Sequence, residues 1–154
     1  AALRELTGAR IGVHPADASS LAAGESPLGT PRQYGFIYSP AQRVLNRFRP
    51  LQATSPDFIL NDGETLERFG WRASVLHTPG HTPGHTCLLL AGGTAFAADL
   101  IGRSPRPRLQ SLLATDWDQL PGSLASLQAA QPERVYTGHS RYAISGRALQ
   151  EIHP

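Results

Sequence analysis

The chain has no lysine, no methionine and a single cysteine, Cys87, among its 154 residues. One cysteine excludes an internal disulfide. Its place in the apolar run Cys87-Leu88-Leu89-Leu90 suits a small buried side chain better than a reactive thiol. No stretch approaches the roughly 20 consecutive apolar residues that a membrane-spanning helix needs, so a membrane is not an expected partner. All 14 basic residues are arginines, set against 12 acidic ones for a net charge of +2. The groups Arg43, Arg47, Arg49 and Arg103, Arg106, Arg108 lack the interleaved aromatics of a nucleic-acid stripe, so nucleic acid is not an expected partner either. A start at Ala1-Ala2-Leu3-Arg4 without methionine reads as a processed, truncated or partial chain. The expected compartment is the cytoplasm, with the question of a leader left to whatever precedes Ala1.

The length fits one domain, and 40% hydrophobic residues are enough to build a core. Residues 1 to 8 read as a short helix stopped by Gly8, followed by a strand over Arg10 to His14 and a helix starting at Pro15. From Gly24 to Pro56 repeated prolines and glycines loosen the pattern into a lid-like insertion. One helix interrupts it, with Ser39 as N-cap, Pro40 first and Gln42 completing a capping box. Tyr34, Phe36 and Tyr38 are candidates there for a substrate wall. The Asp62-Gly63 pair predicts a hairpin between Phe58-Ile59-Leu60 and Thr65 to Phe69. Further strands are expected over Trp71 to His77, Cys87 to Ala91, Thr94 to Ala98 and Arg134 to Thr137. A helix with Leu120, Leu124 and Leu127 inward lies between the last two, and another starts near Ser145.

The most informative stretch is His77-Thr78-Pro79-Gly80-His81-Thr82-Pro83-Gly84-His85, with three imidazoles on a loop stiffened by two prolines and turned by two glycines. Histidine is the usual nitrogen ligand of zinc, and a Pro-Gly frame lowers the entropy cost of holding the rings. His85, Asp99 and His139 are expected at the C-terminal ends of successive strands, on one sheet edge. Nitrogen and carboxylate donors of this kind suit zinc, iron or manganese, and a shared carboxylate can bridge two cations.

The words His81-Thr82-Pro83-Gly84-His85, Phe96-Ala97-Ala98-Asp99 and Tyr136-Thr137-Gly138-His139 resemble, in order, the last three metal motifs of the metallo-β-lactamase superfamily. The resemblance is greatest to its glyoxalase II-like and lactonase-like hydrolases. It implies an α/β fold, the αβ/βα sandwich of two mixed sheets with outer helices, here lacking its first strands. It also implies His85 on a first metal, Asp99 bridging two and serving catalysis, and His139 on the second. His81 and Thr82 would stand behind these ligands, and His77 would be structural. One or two zinc ions are the implied cofactor, with iron or manganese as alternatives. The implied reaction is hydrolysis of a thioester, ester or lactone by metal-activated water, on a small-molecule acyl substrate that Tyr34, Phe36 and Arg103 would contact.

Two departures stand out. The His-x-His-x-Asp-His motif of the family is absent, and the chain is expected to begin just downstream of it, so that His14 is not its substitute. Ala98 stands where the family usually has glycine before the aspartate. Without the first motif, the chain alone predicts at most one weak mononuclear site, and a homodimer could cover the incomplete sheet. The alternatives are a catalytically inactive truncated protein of this fold with a binding or assembly role, and an iron-dependent oxidoreductase of the same superfamily. The forty-residue step from Asp99 to His139 leaves no room for the domain inserted in RNA-processing relatives.

Overall fold

The computed structural model describes residues 2–26, 29–32, 52–102 and 107–154, together with Phe36, Pro40 and Val44. In chain order its first elements are helix α1 (Ala2–Thr7), strand β1 (Gly12–Val13), helix α2 (Pro15–Ala23), and strands β2 (Thr30–Pro31) and β3 (Phe58–Ile59). Then come strands β4 (Ala73–His77), β5 (Thr86–Leu90), β6 (Thr94–Ala98), β7 (Ile101–Gly102), β8 (Arg108–Leu109) and β9 (Leu113–Ala114). Helix α3 (Leu120–Ala129), strands β10 (Arg134–Thr137) and β11 (Ile144–Ser145), and helix α4 (Gly146–Gln150) complete the chain.

Local chemistry explains most of these boundaries. Gly8 ends α1 in the left-handed region at φ +70°, with its N–H donating to the Arg4 carbonyl at 2.8 Å. Pro15 opens α2, and the His14 side chain caps it by accepting from the Ala16 N–H at 3.3 Å. Ser145 caps α4 through the Ala148 N–H at 3.2 Å.

The central sheet has the order β11-β10-β6-β5-β4. Strands β4, β5 and β6 are antiparallel neighbours, whereas β10 runs parallel to β6 after α3 has crossed between them. Alternation then sorts the side chains. Cys87, Ala95, Ala97 and Val135 face α3 and α4 and join Leu120, Leu124, Leu127, Leu149 and Ile152 in one buried cluster. Each fully buried leucine there contributes roughly 1.5–3 kcal/mol. The opposite face carries Ala73, Val75, Leu88 and Leu90, which pack with Leu60, Leu66 and Phe69. The β1–β3 pair lies on that side without closing over it, leaving a cavity of ≈ 650 Å³ lined by Arg10, Phe58, Leu60, Phe69, Trp71 and Leu88 among others. Phe96 and Tyr136 stack at 5.4 Å on this face and remain partly exposed.

Two expectations need correction. The Asp62-Gly63 turn does not make the expected hairpin. Strand β3 pairs in parallel with the distant β1, and Glu67–Phe69 forms a 3-10 turn ended by Gly70 at φ +80°. The segment after the turn meets β4 instead, with Thr65 opposite Ser74 and the Gly63 and Leu66 N–H groups donating to the Val75 and Ala73 carbonyls. The second correction is that His85 precedes β5 rather than following a strand, so it stands at a strand's N-terminal end. The antiparallel register of β5 on β6 still brings that end to the edge where β6 finishes.

Tyr34, Tyr38, Arg103 and Arg106 lie outside the described residues, as does most of the 24–56 insertion with its Ser39-capped helix. Phe36 is described and exposed. Among the described residues no helix is long and apolar enough to cross a membrane.

Candidate functional site

Parallel pairing of β6 and β10 makes both strands end at the same edge, and each is followed at once by a chemical residue: Asp99 after Ala98, and His139 two positions after Thr137. A register shift between Tyr136 and Thr137 sets Thr137 opposite Ala98. Gly138 then donates its N–H to the Ala98 carbonyl at 2.7 Å. The His77–His85 loop, joining β4 to β5, reaches the same edge.

Three neighbouring segments hold that loop, which is also closed on itself. Its base is closed by the Thr78 N–H donating to the His85 carbonyl at 2.9 Å. The Gly80 carbonyl accepts from Thr115 and Asp116 N–H, and the Ser123 hydroxyl donates to the Pro79 carbonyl at 2.6 Å. Asp17, in the first turn of α2, accepts from the Thr82 hydroxyl at 2.5 Å and from the Gly84 N–H at 2.8 Å. A β-carbon on Gly84 would meet Asp17 at 2.6 Å, so glycine is required for this approach. His77 donates from Nε2 to the Pro83 carbonyl at 2.9 Å and stacks on His14, ring centroids 3.9 Å apart. His77 therefore braces the loop and His14 caps a helix.

Asp99 is the hub. His81 Nε2 lies 3.3 Å from its Oδ2 and His139 Nε2 3.2 Å from its Oδ1. His81 Nδ1 faces the Leu113 carbonyl at 3.0 Å. Both ring nitrogens of His81 thus meet oxygens that only accept, an arrangement that needs both protons. Burial works against that charge, but the bonds to Asp99 and Leu113 outweigh it and raise the His81 pKa above its ordinary value. The hydrogen bond from His81 correspondingly holds the Asp99 carboxyl below the usual range, against its own burial.

His85 is the contrasting histidine. It is only 7% exposed, and burial, with His81 adding, drives its pKa down to about 4. Its ring is therefore neutral at pH 7. Nδ1 lies 2.8 Å from the Thr78 hydroxyl, which is itself 3.3 Å from Cys87 Sγ. His85 Nε2 is buried without a partner among the described residues, which is unusual for a buried polar atom and leaves a lone pair free to bind a cation. Its ring centroid is 6.0 Å from that of His81. Cys87 is fully buried, and burial pushes its thiol up to about 11, so it is inert as expected.

A neutral imidazole, an ionised carboxylate and an exposed imidazole form a donor set that suits a zinc or iron cation. Among the described residues no three such side chains converge closely enough to make a closed cluster. The fit is to an open, partial site.

Comparison with known proteins decides the lineage. Residues 1–139 match the family model described as the metallo-beta-lactamase superfamily. The chain belongs to that superfamily. Its fold is the superfamily's α/β sandwich. Over 115 residues it is 30% identical to the human acyl-coenzyme A thioesterase MBLAC2 and 27% identical to the Bos taurus protein of the same name, covering 69% of this chain and 41% of each relative. The chain thus spans about two fifths of the length of these relatives. TTHA1623, solved in a di-iron-bound form, superposes with a TM-score of 0.64 at 24% identity over 99% of this chain and 68% of its own. BLEG-1, a B3 metallo-beta-lactamase, gives 0.70 at 19% identity with the same coverage. Superfamily proteins of this kind bind metal ions, two irons in the case of TTHA1623.

Sequence reasoning missed Asp17 and the Thr78–His85–Cys87 contacts. Nothing in the sequence ties Asp17 to a loop 65 residues away. Thr78 did carry a signal, since it occupies the first of two His-Thr-Pro-Gly copies.

Proposed function

We propose that this chain is the metal-binding part of a hydrolase acting on an acyl thioester, ester or lactone, with His85, Asp99 and His139 as its cation ligands. The observation that carries the reading is the pairing of opposites on one sheet edge. A carboxylate kept ionised faces two imidazoles, and a neutral, buried imidazole nitrogen without a partner among the described residues stands on the adjoining turn. Zinc is the first choice of cation, with iron or manganese as alternatives. When bound, such a cation supplies a water of lowered pKa and polarises a carbonyl.

The chain's own residues prepare for it. His85 offers its Nε2 lone pair at pH 7 without having to lose a proton. Asp99 supplies the negative charge, shared between two cations where two are held. His139, exposed at the rim, can turn toward a cation at little steric cost. His81 keeps Asp99 in place, and a cation held beside it would favour loss of the His81 proton to solvent. Asp17, through Thr82 and Gly84, prevents the loop from following any one ligand outward.

A catalytic zinc usually keeps three protein ligands. On the proposed assignment His85 and Asp99 would hold a first cation, and Asp99 and His139 a second. In this reading a His-x-His-x-Asp-His segment outside this sequence completes both. The similarity to an acyl-coenzyme A thioesterase supports a thioester as substrate. Phe36 is exposed as a substrate contact would need to be, and Tyr34 and Arg103 remain part of the same proposal. A non-catalytic role is the second reading, favoured by the absence of a closed cluster among the described residues. The test is thiol release from acyl thioesters by a protein that includes the missing segment. Activity should vanish on chelation and return with zinc, whereas turnover that persists after exhaustive metal removal sinks the proposal.

A further inference from the structure

We infer that Thr78 is a positioning residue that fixes the tautomer of His85, keeping the ring proton on Nδ1 and the lone pair on Nε2, with Cys87 as the end of the hydrogen-bond chain. The ligand role of Nε2 rests on the reading above, but the tautomer assignment stands on geometry alone.

Thr78 follows β4 directly and is fully buried. Its backbone is already fixed against His85 by the bond that closes the loop, so its hydroxyl has little freedom. A β-branched side chain further restricts the rotamer. The hydroxyl has two neighbours, His85 Nδ1 at 2.8 Å and Cys87 Sγ at 3.3 Å, and can donate to only one of them. Two proton arrangements satisfy the chain. In the first, Nδ1–H donates to Thr78 Oγ1, and Thr78 donates to the sulfur. In the second, Cys87 S–H donates to Thr78, and Thr78 donates to Nδ1.

The second arrangement puts the ring proton on Nε2, which is buried and has no acceptor among the described residues. An orphaned N–H is the rarer and costlier defect, and a thiol is a weak donor. The first leaves only a bare lone pair at Nε2. The first arrangement therefore prevails, and it is the tautomer a metal ligand requires. Histidine ligands are commonly set in this way by the hydrogen bond at the other nitrogen.

The test uses the metal-free 154-residue chain with ¹⁵N-labelled histidine, read by NMR at pH 7. In the unaltered chain His85 should show a protonated Nδ1 and a bare Nε2. Thr78→Val should lose that preference, and its affinity for zinc ion alone should fall by about 10- to 100-fold. Thr78→Ser should restore both, which a purely packing role for Thr78 would not predict. A proton on Nε2 in the unaltered chain, or an unchanged Nδ1–H in Thr78→Val, overturns the inference without needing any metal. If the tautomer shifts as stated but added zinc leaves the His85 ring signals unmoved, the tautomer assignment is upheld and the ligand reading fails.

Discussion

Gly138 packs so closely on Asp99 that a β-carbon at position 138 would lie 2.3 Å from the carboxylate Oδ1. The obstacle is not the tip of a long flexible chain but the short side chain at the hub of the site. Gly138→Ala must therefore push Asp99 away from His139 and His81 while leaving the strands on either side paired. The expected outcome is a folded protein, by circular dichroism, in which the ¹⁵N signals of His81 and His139 shift together. Unchanged signals would mean the carboxylate has room that this geometry denies.

Ala98 offers the opposite experiment. It sits at φ +40°, a left-handed conformation that costs a residue with a β-carbon on the order of 1–2 kcal/mol and costs glycine nothing. The bend it makes ends β6 and turns the chain to deliver Asp99. Ala98→Gly should relieve the strain, offset in part by the extra freedom of glycine in the unfolded chain, for a net gain of about 1 kcal/mol in denaturant melts. A loss of stability would mean that the bend is unstrained.

Asp17 is expected to matter for the loop more than for the helix that carries it. Asp17→Ala removes two charge-assisted acceptors, from Thr82 and Gly84, at a cost of about 2 kcal/mol. Hydrogen exchange at the Gly84 amide should accelerate well beyond the change at α2 amides. Equal acceleration in both places would assign Asp17 to helix stability instead.

The histidines give the fold a pH dependence whose signs differ. His85 is depressed from 6.5 to about 4 by burial, so its contribution is complete above 6.5 and is lost as the pH falls toward 4. That displacement corresponds to roughly 3 kcal/mol. His81 is raised, so its contribution is complete below 6.5 and fades as the pH rises through its folded value. Asp99 is lowered, and its contribution is lost only in stronger acid, as the pH falls through its folded value. Unfolding free energies should therefore drop between pH 6.5 and 4, and His85→Gln should flatten that part of the curve. An unchanged slope in His85→Gln would assign the loss to other groups.

The sequence revealed the site through local words whose chemistry does not depend on distant partners. The Pro-Gly frame of the histidine loop, the strand that stops at Asp99 and the helix start near Ser145 could all be read directly, and Leu120, Leu124 and Leu127 announced the inner face of α3. Pairing choices were less legible. Asp62-Gly63 makes a turn, but β3 finds its partner in β1, some 46 residues earlier (58 − 12), and no local pattern encodes that preference. The same limit hid Asp17, whose carboxylate reads as an ordinary first-turn acid until α2 is docked on the loop. Ala98 was recognised as a departure from the family pattern, and its positive φ supplies the physical reason that glycine would suit the position.

The most direct test of the account is a zinc titration of this chain at pH 7, competed against a chromophoric chelator, with proton release measured alongside. The His81 ring donates a proton toward Asp99 that an arriving cation should displace, so binding should release protons and weaken as the pH falls. The account predicts one weakly held zinc per chain, lost in a folded Asp99→Asn variant. Zinc binding that is equally strong in Asp99→Asn, or that proceeds without proton release, would contradict it.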